Sequence, residues 1–354
     1  MDRYEFFDPR RLGGRMPVAA GAYARRIQEL NDPRVCIVGA GNLSTRRIYP
    51  YIGAAGGEII AVCDLDGEKA TRNARRFGGV PYDNVELMLA DHRPDGVIVC
   101  VGPEQHAELA TMLLRRGIPV YTEKPPALNA DDTLAVARVA RETGVLCTTA
   151  FKKRYTTAAS RARAWLNQFD ESDYYSLSID YASAQYPNEN ARSSFLLHFG
   201  IHAIDLVQYF FGNVSEVFAF ARGRDAYAIS LRFANGAVGS LNLNDGRSFQ
   251  IPTEEVELTV RGGNFMSIHN SSIWKITQQG VPHEWREPAT FVSAGDSGHD
   301  TGHMAEIEDF FAAIREGRST RSDIFESYRT MVLYEAICRS VDTAQPVHVT
   351  FEPV

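Results

Sequence analysis

From Arg34 to about Ala150, short apolar runs alternate with helical stretches, and no other feature limits the possible folds so strongly. The runs are RVCIVGA (34–40), EIIAVCD (58–64), GVIVCV (96–101), IPVYTE (118–123) and VLCTTA (145–150). Each is rich in valine and isoleucine and bounded by turn residues, as strands buried on both faces of a parallel sheet are. Helical segments such as 66–77 and 104–117 lie between them, the second ending on Gly117 with Pro119 behind it. Alternation of this kind predicts a doubly wound α/β domain with right-handed crossovers.

Beyond residue 151 the pattern changes. A helix over about 155–168 leads into YYSLSIDYASA (174–184), which alternates as a half-buried strand does, and 195–212 reads as one apolar helix. Strand-like runs follow at 216–223, 226–233, 237–244 and 254–262, with a hairpin turn at Ala234-Asn235-Gly236. Two long helices, about 303–316 and 322–341, close the chain. The expected order is an arm over 1–33, a nucleotide-type domain over 34–152 and an α+β domain over 153–354. The last would carry a large, mostly antiparallel, open-faced sheet, with the late helices packing back on the first domain.

The net charge of −7 disfavours phosphate backbones and anionic lipid, so neither nucleic acid nor a membrane is an expected partner. No apolar run reaches the roughly 20 residues that span a bilayer. The first 33 residues lack a continuous apolar stretch, and Arg10-Arg11 is followed by Arg15, Arg25 and Arg26. They read as an arm rather than a secretory signal, and a cytoplasmic location is expected. Cys36, Cys63, Cys100, Cys147 and Cys338 are odd in number and widely spaced, which fits free thiols in a reducing compartment.

Gly39-Ala40-Gly41-Asn42-Leu43-Ser44 sits between the first strand and the first helix. The first glycine permits a tight turn, the second lets pyrophosphate approach the backbone, and the helix start offers free N–H groups. Ser44 replaces the third glycine of the dinucleotide fingerprint, a position where a small residue suffices. Asp64 ends the second strand, where an acid bonds the adenosine ribose. Asp66 adds negative charge, so NAD is favoured over NADP, although Arg46 and Arg47 lie on the first helix.

Glu123-Lys124-Pro125-Pro126 follows the run IPVYTE, at the carboxyl end of a strand where ligands of doubly wound sheets sit. Pro125 holds Lys124 extended, and a lysine there can donate to an alcohol oxygen and relay its proton. In the second half stands Gly200-Ile201-His202-Ala203-Ile204-Asp205. The two motifs, in this order and separation, resemble the Gfo/Idh/MocA oxidoreductases, from about Arg34 to the C-terminus. The resemblance implies a Rossmann domain, NAD, and hydride transfer between nicotinamide and a hydroxyl or keto carbon of a sugar, inositol or derivative. It implies Lys124 and His202 as catalytic residues, with His202 titrating near neutral pH as general acid/base. Gly102, Pro103, His106 and Glu123 would lie by the cofactor, alongside Gly39, Gly41, Asn42, Leu43 and Asp64 of the first half.

One place departs from the family. Dehydrogenase members carry an aspartate four residues before the histidine, and here it is His198. His198 would share the catalytic face as a neutral partner, a sugar ligand or the base itself; the spacing also suits a metal, but no acid completes a ligand set. Lys153, Arg154, Tyr181 and Asp205 are the expected substrate contacts, from the basic stretch Lys152-Lys153-Arg154-Tyr155, the first strand of the second domain (with Tyr186 beyond it) and the histidine motif. In His299-Asp300-Thr301-Gly302-His303 the expected use of Asp300 or Thr301 is a helix cap. A homodimer or homotetramer is expected by analogy. Two alternatives remain open: a redox-neutral enzyme that cleaves or epimerises glycosides through a transient keto-sugar, and a non-catalytic sugar or dinucleotide sensor.

Overall fold

A computed structural model describes residues 32–184, 195–287 and 298–354. Most of the N-terminal arm, and Tyr186, lie outside the described residues. The first sheet holds β1 (Arg34–Val38), β2 (Glu58–Cys63), β3 (Val80–Tyr82), β4 (Gly96–Val99), β5 (Val120–Thr122) and β6 (Cys147–Thr149). Their spatial order is β3-β2-β1-β4-β5-β6, all pairings parallel. The chain therefore starts in the middle and winds outward twice, and the order reverses between β1 and β4, where such sheets open a ligand crevice. The apolar runs are strands for the reason their composition implies: β1, β2 and β4 are buried almost end to end.

Two apolar layers sandwich this sheet. Cys36, Val38, Val97 and Val99 pack on Leu113, Leu114 and Ala137 of the helices His106–Arg115 and Ala130–Thr143. Val35, Ile37 and Ile98 pack on Ala70 and Ala74 of helix Gly67–Phe77, and on Ile307, Phe310 and Phe311 of the late helix His303–Glu316.

The second sheet has nine strands in the order β14-β13-β12-β11-β7-β10-β9-β8-β15. They are β7 (Tyr174–Ala182), β8 (Val214–Arg222), β9 (Ala226–Phe233), β10 (Val238–Asn244), β11 (Thr253–Val260), β12 (Asn264–His269), β13 (Ile273–Gln278), β14 (Val281–Arg286) and β15 (Val347–His348). Among the described residues of this sheet, only β7 and β10 pair in parallel. One face is apolar and is covered by helices Ile201–Phe211 and Ile324–Thr343. Burial alternates along β9 and β11 accordingly.

Strands β12 to β14 are additions to the sequence reading. The edge strand β14 is exposed or half-exposed throughout, so it has no buried face to imprint an apolar period. A second correction concerns 195–212. Leu196–Gly200 forms a π-helical turn, and the α-helix proper begins at Ile201. Apolar periodicity cannot separate these two, because both bury nearly the same side chains. Neither Asp300 nor Thr301 caps a helix: Gly302 is the cap of His303–Glu316, while Asp300 pairs with Arg286 at 2.7 Å and accepts from Thr157.

Candidate active site

The phosphate loop is held by its own backbone. Gly39 has φ +106°, and a Cβ there would fall 2.1 Å from the carbonyl oxygen of Cys100, so only glycine fits. Gly41 is the opposite case: a Cβ would meet nothing within 4 Å. The space it leaves open is where a diphosphate would approach. Ser44 is buried, and its hydroxyl donates to the Gly39 and Gly41 carbonyls at 3.0 and 3.2 Å, tying the loop where a third glycine would only make room. Asp64 accepts from the Ala40 amide at 2.7 Å and from the Asp66 amide at 2.9 Å. Asp66 itself caps helix Gly67–Phe77.

These residues border a cleft of about 640 Å³ that also takes in Asn42, Leu43, Val101, Gly102 and Gln105. Among the described residues its lining contains Asp64, Asp83 and Glu108 and no arginine; Arg46 and Arg47 do not line it. The cleft suits a dinucleotide with free ribose hydroxyls and repels an added phosphate. Gly39, Gly41, Asn42, Leu43, Asp64 and Gly102 are thus brought to one cleft. His106 is not: it is buried, with Nδ1 2.7 Å from the Pro125 carbonyl and Nε2 3.2 Å from that of Val101. It ties the loop after β4 to the turn after β5. Burial lowers its pKa. Pro103 opens the short 3-10 turn Pro103–Gln105 in front of the next helix.

The turn after β5 carries Glu123 and Lys124, with a cis bond between Lys124 and Pro125. The Lys124 ammonium donates to the main-chain carbonyl of His198 at 2.5 Å and lies 5.7 Å from the Phe199 ring centre. What meets Lys124 is therefore the backbone of His198, at the π-helical turn; such turns recur at functional sites. Glu123 accepts from the Lys124 amide at 3.1 Å, and burial raises its pKa against the pull of the Lys124 charge.

His202 stands one turn further along. It is 7% exposed, sits edge-on to Phe151, and its Nδ1 is buried with no partner among the described residues. Burial first, then the charges of Lys124, Lys152 and Lys153, push its pKa well below the ordinary value. Titration near neutrality is thereby corrected: burial and the three lysines favour the neutral imidazole.

The basic stretch after β6 divides. Lys153 pairs with Glu254 of β11 and lies 4.9 Å from the Tyr181 ring centre on β7. Burial would raise the Glu254 carboxyl, but Lys153 and the Ser271 hydroxyl hold it below its usual range. Arg154 and Asp205, expected to touch substrate, are instead turned on each other: Nε and Nη2 donate to the carboxylate at 2.8 and 2.7 Å, and Thr330 adds a third bond. Both are buried, at 2% and 0% side-chain exposure, so this fork fastens the basic turn to the histidine helix and has no open face. Glu254 and Glu306 are neighbours that motif reading did not select, and Lys152 was noted only as part of the basic stretch. Glu306 accepts from the Tyr121 hydroxyl at 2.7 Å, and burial, then the neighbouring Glu123 charge, raises its carboxyl well above the usual range.

An acid-lined cleft at the phosphate loop, and a separate grouping of Lys124 with the backbone of the histidine helix, agree with the comparisons. Residues 33–151 match the description "Oxidoreductase family, NAD-binding Rossmann fold", and residues 162–349 match the α/β C-terminal domain of the same family. The chain is 24% identical to 4-carboxy-2-hydroxymuconate-6-semialdehyde dehydrogenase of Sphingobium sp., over 84% of this chain and 96% of that protein. It is 23% identical to D-xylose 1-dehydrogenase (NADP(+)) 2 of Haloferax volcanii, over 88% and 98%. A structure of an oxidoreductase from Agrobacterium radiobacter with NAD+, L-tartaric acid and magnesium superposes with TM-score 0.78 at 17% identity, covering 90% of this chain and 98% of that one. This chain belongs to the Gfo/Idh/MocA oxidoreductase family and is an NAD-binding dehydrogenase or reductase acting on CH–OH groups.

Proposed function

We propose that the chain interconverts a hydroxyl and a keto carbon of a sugar, polyol or related hydroxy compound, with Lys124 and His202 handling the proton. The supporting observation is that His202, on the second half, feels the Lys124 charge as the strongest electrostatic influence after burial. Two groups that share one electrostatic site can share one substrate oxygen. NAD, when bound, supplies the hydride acceptor. The neutral His202 imidazole takes the hydroxyl proton, and its buried Nδ1, without a partner among the described residues, is a cost that a bound polar group would relieve. The Lys124 ammonium donates to the same oxygen and stabilises charge that develops there. The His198 carbonyl holds that ammonium in place. Lys153 and Tyr181 contribute substrate contacts from the sheet.

The dehydrogenase relatives named above favour net redox turnover over the glycoside-cleaving alternative. An increase in absorbance at the reduced-nicotinamide band with a panel of sugars, inositols and hydroxy acids tests the reading. It fails if Lys124→Ala retains full turnover. Thermal shifts with NAD exceeding those with NADP would support the reading of Asp64. Phe220, Val238, Phe265 and Trp285 are exposed on strands of the open sheet, and their ladder partners place them on the face away from the helices. They support a homodimer or homotetramer, tested by sedimentation.

A further inference from the structure

The three basic residues after β6 have three different fates. Arg154 is spent on Asp205, and Lys153 on Glu254. Among the described residues, no carboxylate lies within ion-pair distance of the Lys152 ammonium. Lys152 is nonetheless half-buried. Its backbone is clamped: Gly302 has φ +85°, and a Cβ there would lie 2.0 Å from the Lys152 carbonyl oxygen. The side chain thus starts from a fixed point, beside the residue that precedes His303.

Charged groups face Lys152 from every element around it. On its own turn is Lys153; from the turn after β5 comes Glu123, from β11 Glu254, and from the late helix Glu306. His202 and His303 both feel the Lys152 charge. All three acids favour its charged form, but none lies within ion-pair distance. Glu254 is taken by Lys153 and Ser271, and burial raises the carboxyls of Glu306 and Glu123 above their usual range. Burial and then Lys153 push the Lys152 ammonium down to about 8. A cation that has lost water and gained no counter-ion is a standing cost, relieved by an incoming anion.

We propose that Lys152 binds a carboxylate carried by the substrate, so that the compound oxidised is a hydroxy acid or sugar acid rather than a neutral sugar. This deepens the hydroxyl-oxidising reading above and rests on it. One ammonium, with no arginine fork beside it, matches a singly charged carboxylate better than a phosphate dianion.

The test is calorimetric titration of the full chain with NAD bound, at pH 7 and pH 9. The probes are D-gluconate, L-malate, neutral D-glucitol and D-glucose 6-phosphate, and the proteins are wild type, Lys152→Met and Lys152→Arg. At pH 7 at least one of the two hydroxy acids should bind the wild type about 10–100-fold more tightly than glucitol, the worth of one charge-assisted hydrogen bond. Lys152→Met should erase that preference. The wild type should lose it between pH 7 and pH 9, as the ammonium gives up its proton, and Lys152→Arg should keep it at pH 9. Equal affinity for acids and glucitol, tightest binding of the phosphate ester, no binding of either acid, or an unchanged preference in Lys152→Met would each overturn the proposal. Reduced-nicotinamide formation is read separately. Carboxylate binding without turnover of any hydroxy compound would overturn the hydroxyl-oxidising reading and leave the anion site standing.

Discussion

The dinucleotide cleft and the lysine–histidine cluster are built on opposite plans. The phosphate loop is one short stretch, Gly39 to Ser44, working through backbone and missing side chains, with acids around it. The cluster draws Lys124, Lys152, Lys153, His202 and Glu254 from separate stretches of chain, works through side chains, and is basic. A backbone site tolerates almost nothing at its glycines yet needs few distant partners. A side-chain site has each member's charge set by the others, so damage to one should move the rest.

The largest effect should come from the fastening between the halves of that cluster. Arg154→Met leaves the Asp205 carboxylate buried without its guanidinium, and should lower unfolding free energy by about 3–5 kcal/mol. Denaturant titration checks this, and a loss below about 1 kcal/mol would mean the pair is not the fastening described. Next, Lys124→Ala should reduce kcat by about 100- to 10,000-fold, the range of positioned acid–base groups, while NAD still raises the melting temperature.

The cleft should give the reverse pattern. Because a Cβ at Gly41 meets nothing, Gly41→Val should fold normally and weaken NAD binding by at least about 10-fold, as its side chain occupies the anion's approach. A Gly41→Val protein with wild-type NAD affinity would break the contrast. Asp64→Ala should cost about 10-fold in NAD affinity and little in NADP affinity, measured by titration. The smallest effect is in pH. His202 has its pKa depressed by burial and lysines, so its base form persists as pH falls past the ordinary histidine value near 6.5. The acid limb of kcat for oxidation should lie below about pH 6.5, and a limb at 7 or above that vanishes in His202→Gln would contradict the assignment.

Much of the first half was legible in the chain. RVCIV, EIIAVC and GVIV are strands because unbroken apolar runs between turn residues can be buried on both faces. The loop was legible because its function needs glycine at fixed spacing. The cluster was legible only in part. Lys124 and His202 were singled out by a motif pair and Lys152 only as part of a basic stretch, whereas Glu254 and Glu306 stood in no motif, and Arg154 and Asp205 were assigned to substrate when the structure turns them on each other. No spacing in sequence announces a contact between residues 154 and 205. The π-helical turn at Leu196–Gly200 was hidden for a related reason, since it changes hydrogen bonding without changing which residues are apolar.

Local periodicity and turn chemistry, both written residue by residue, were enough to determine the strand–helix order, the phosphate loop and the acid that follows it. Partner choice and charge state were decided by tertiary structure. Whether Lys153 or Lys152 is neutralised, whether Glu306 keeps its proton and whether His202 is neutral all depend on which groups distant in the chain arrive beside them and how much water is left there. Ionisation responds to that surrounding field and dielectric, which exist only once the chain has folded.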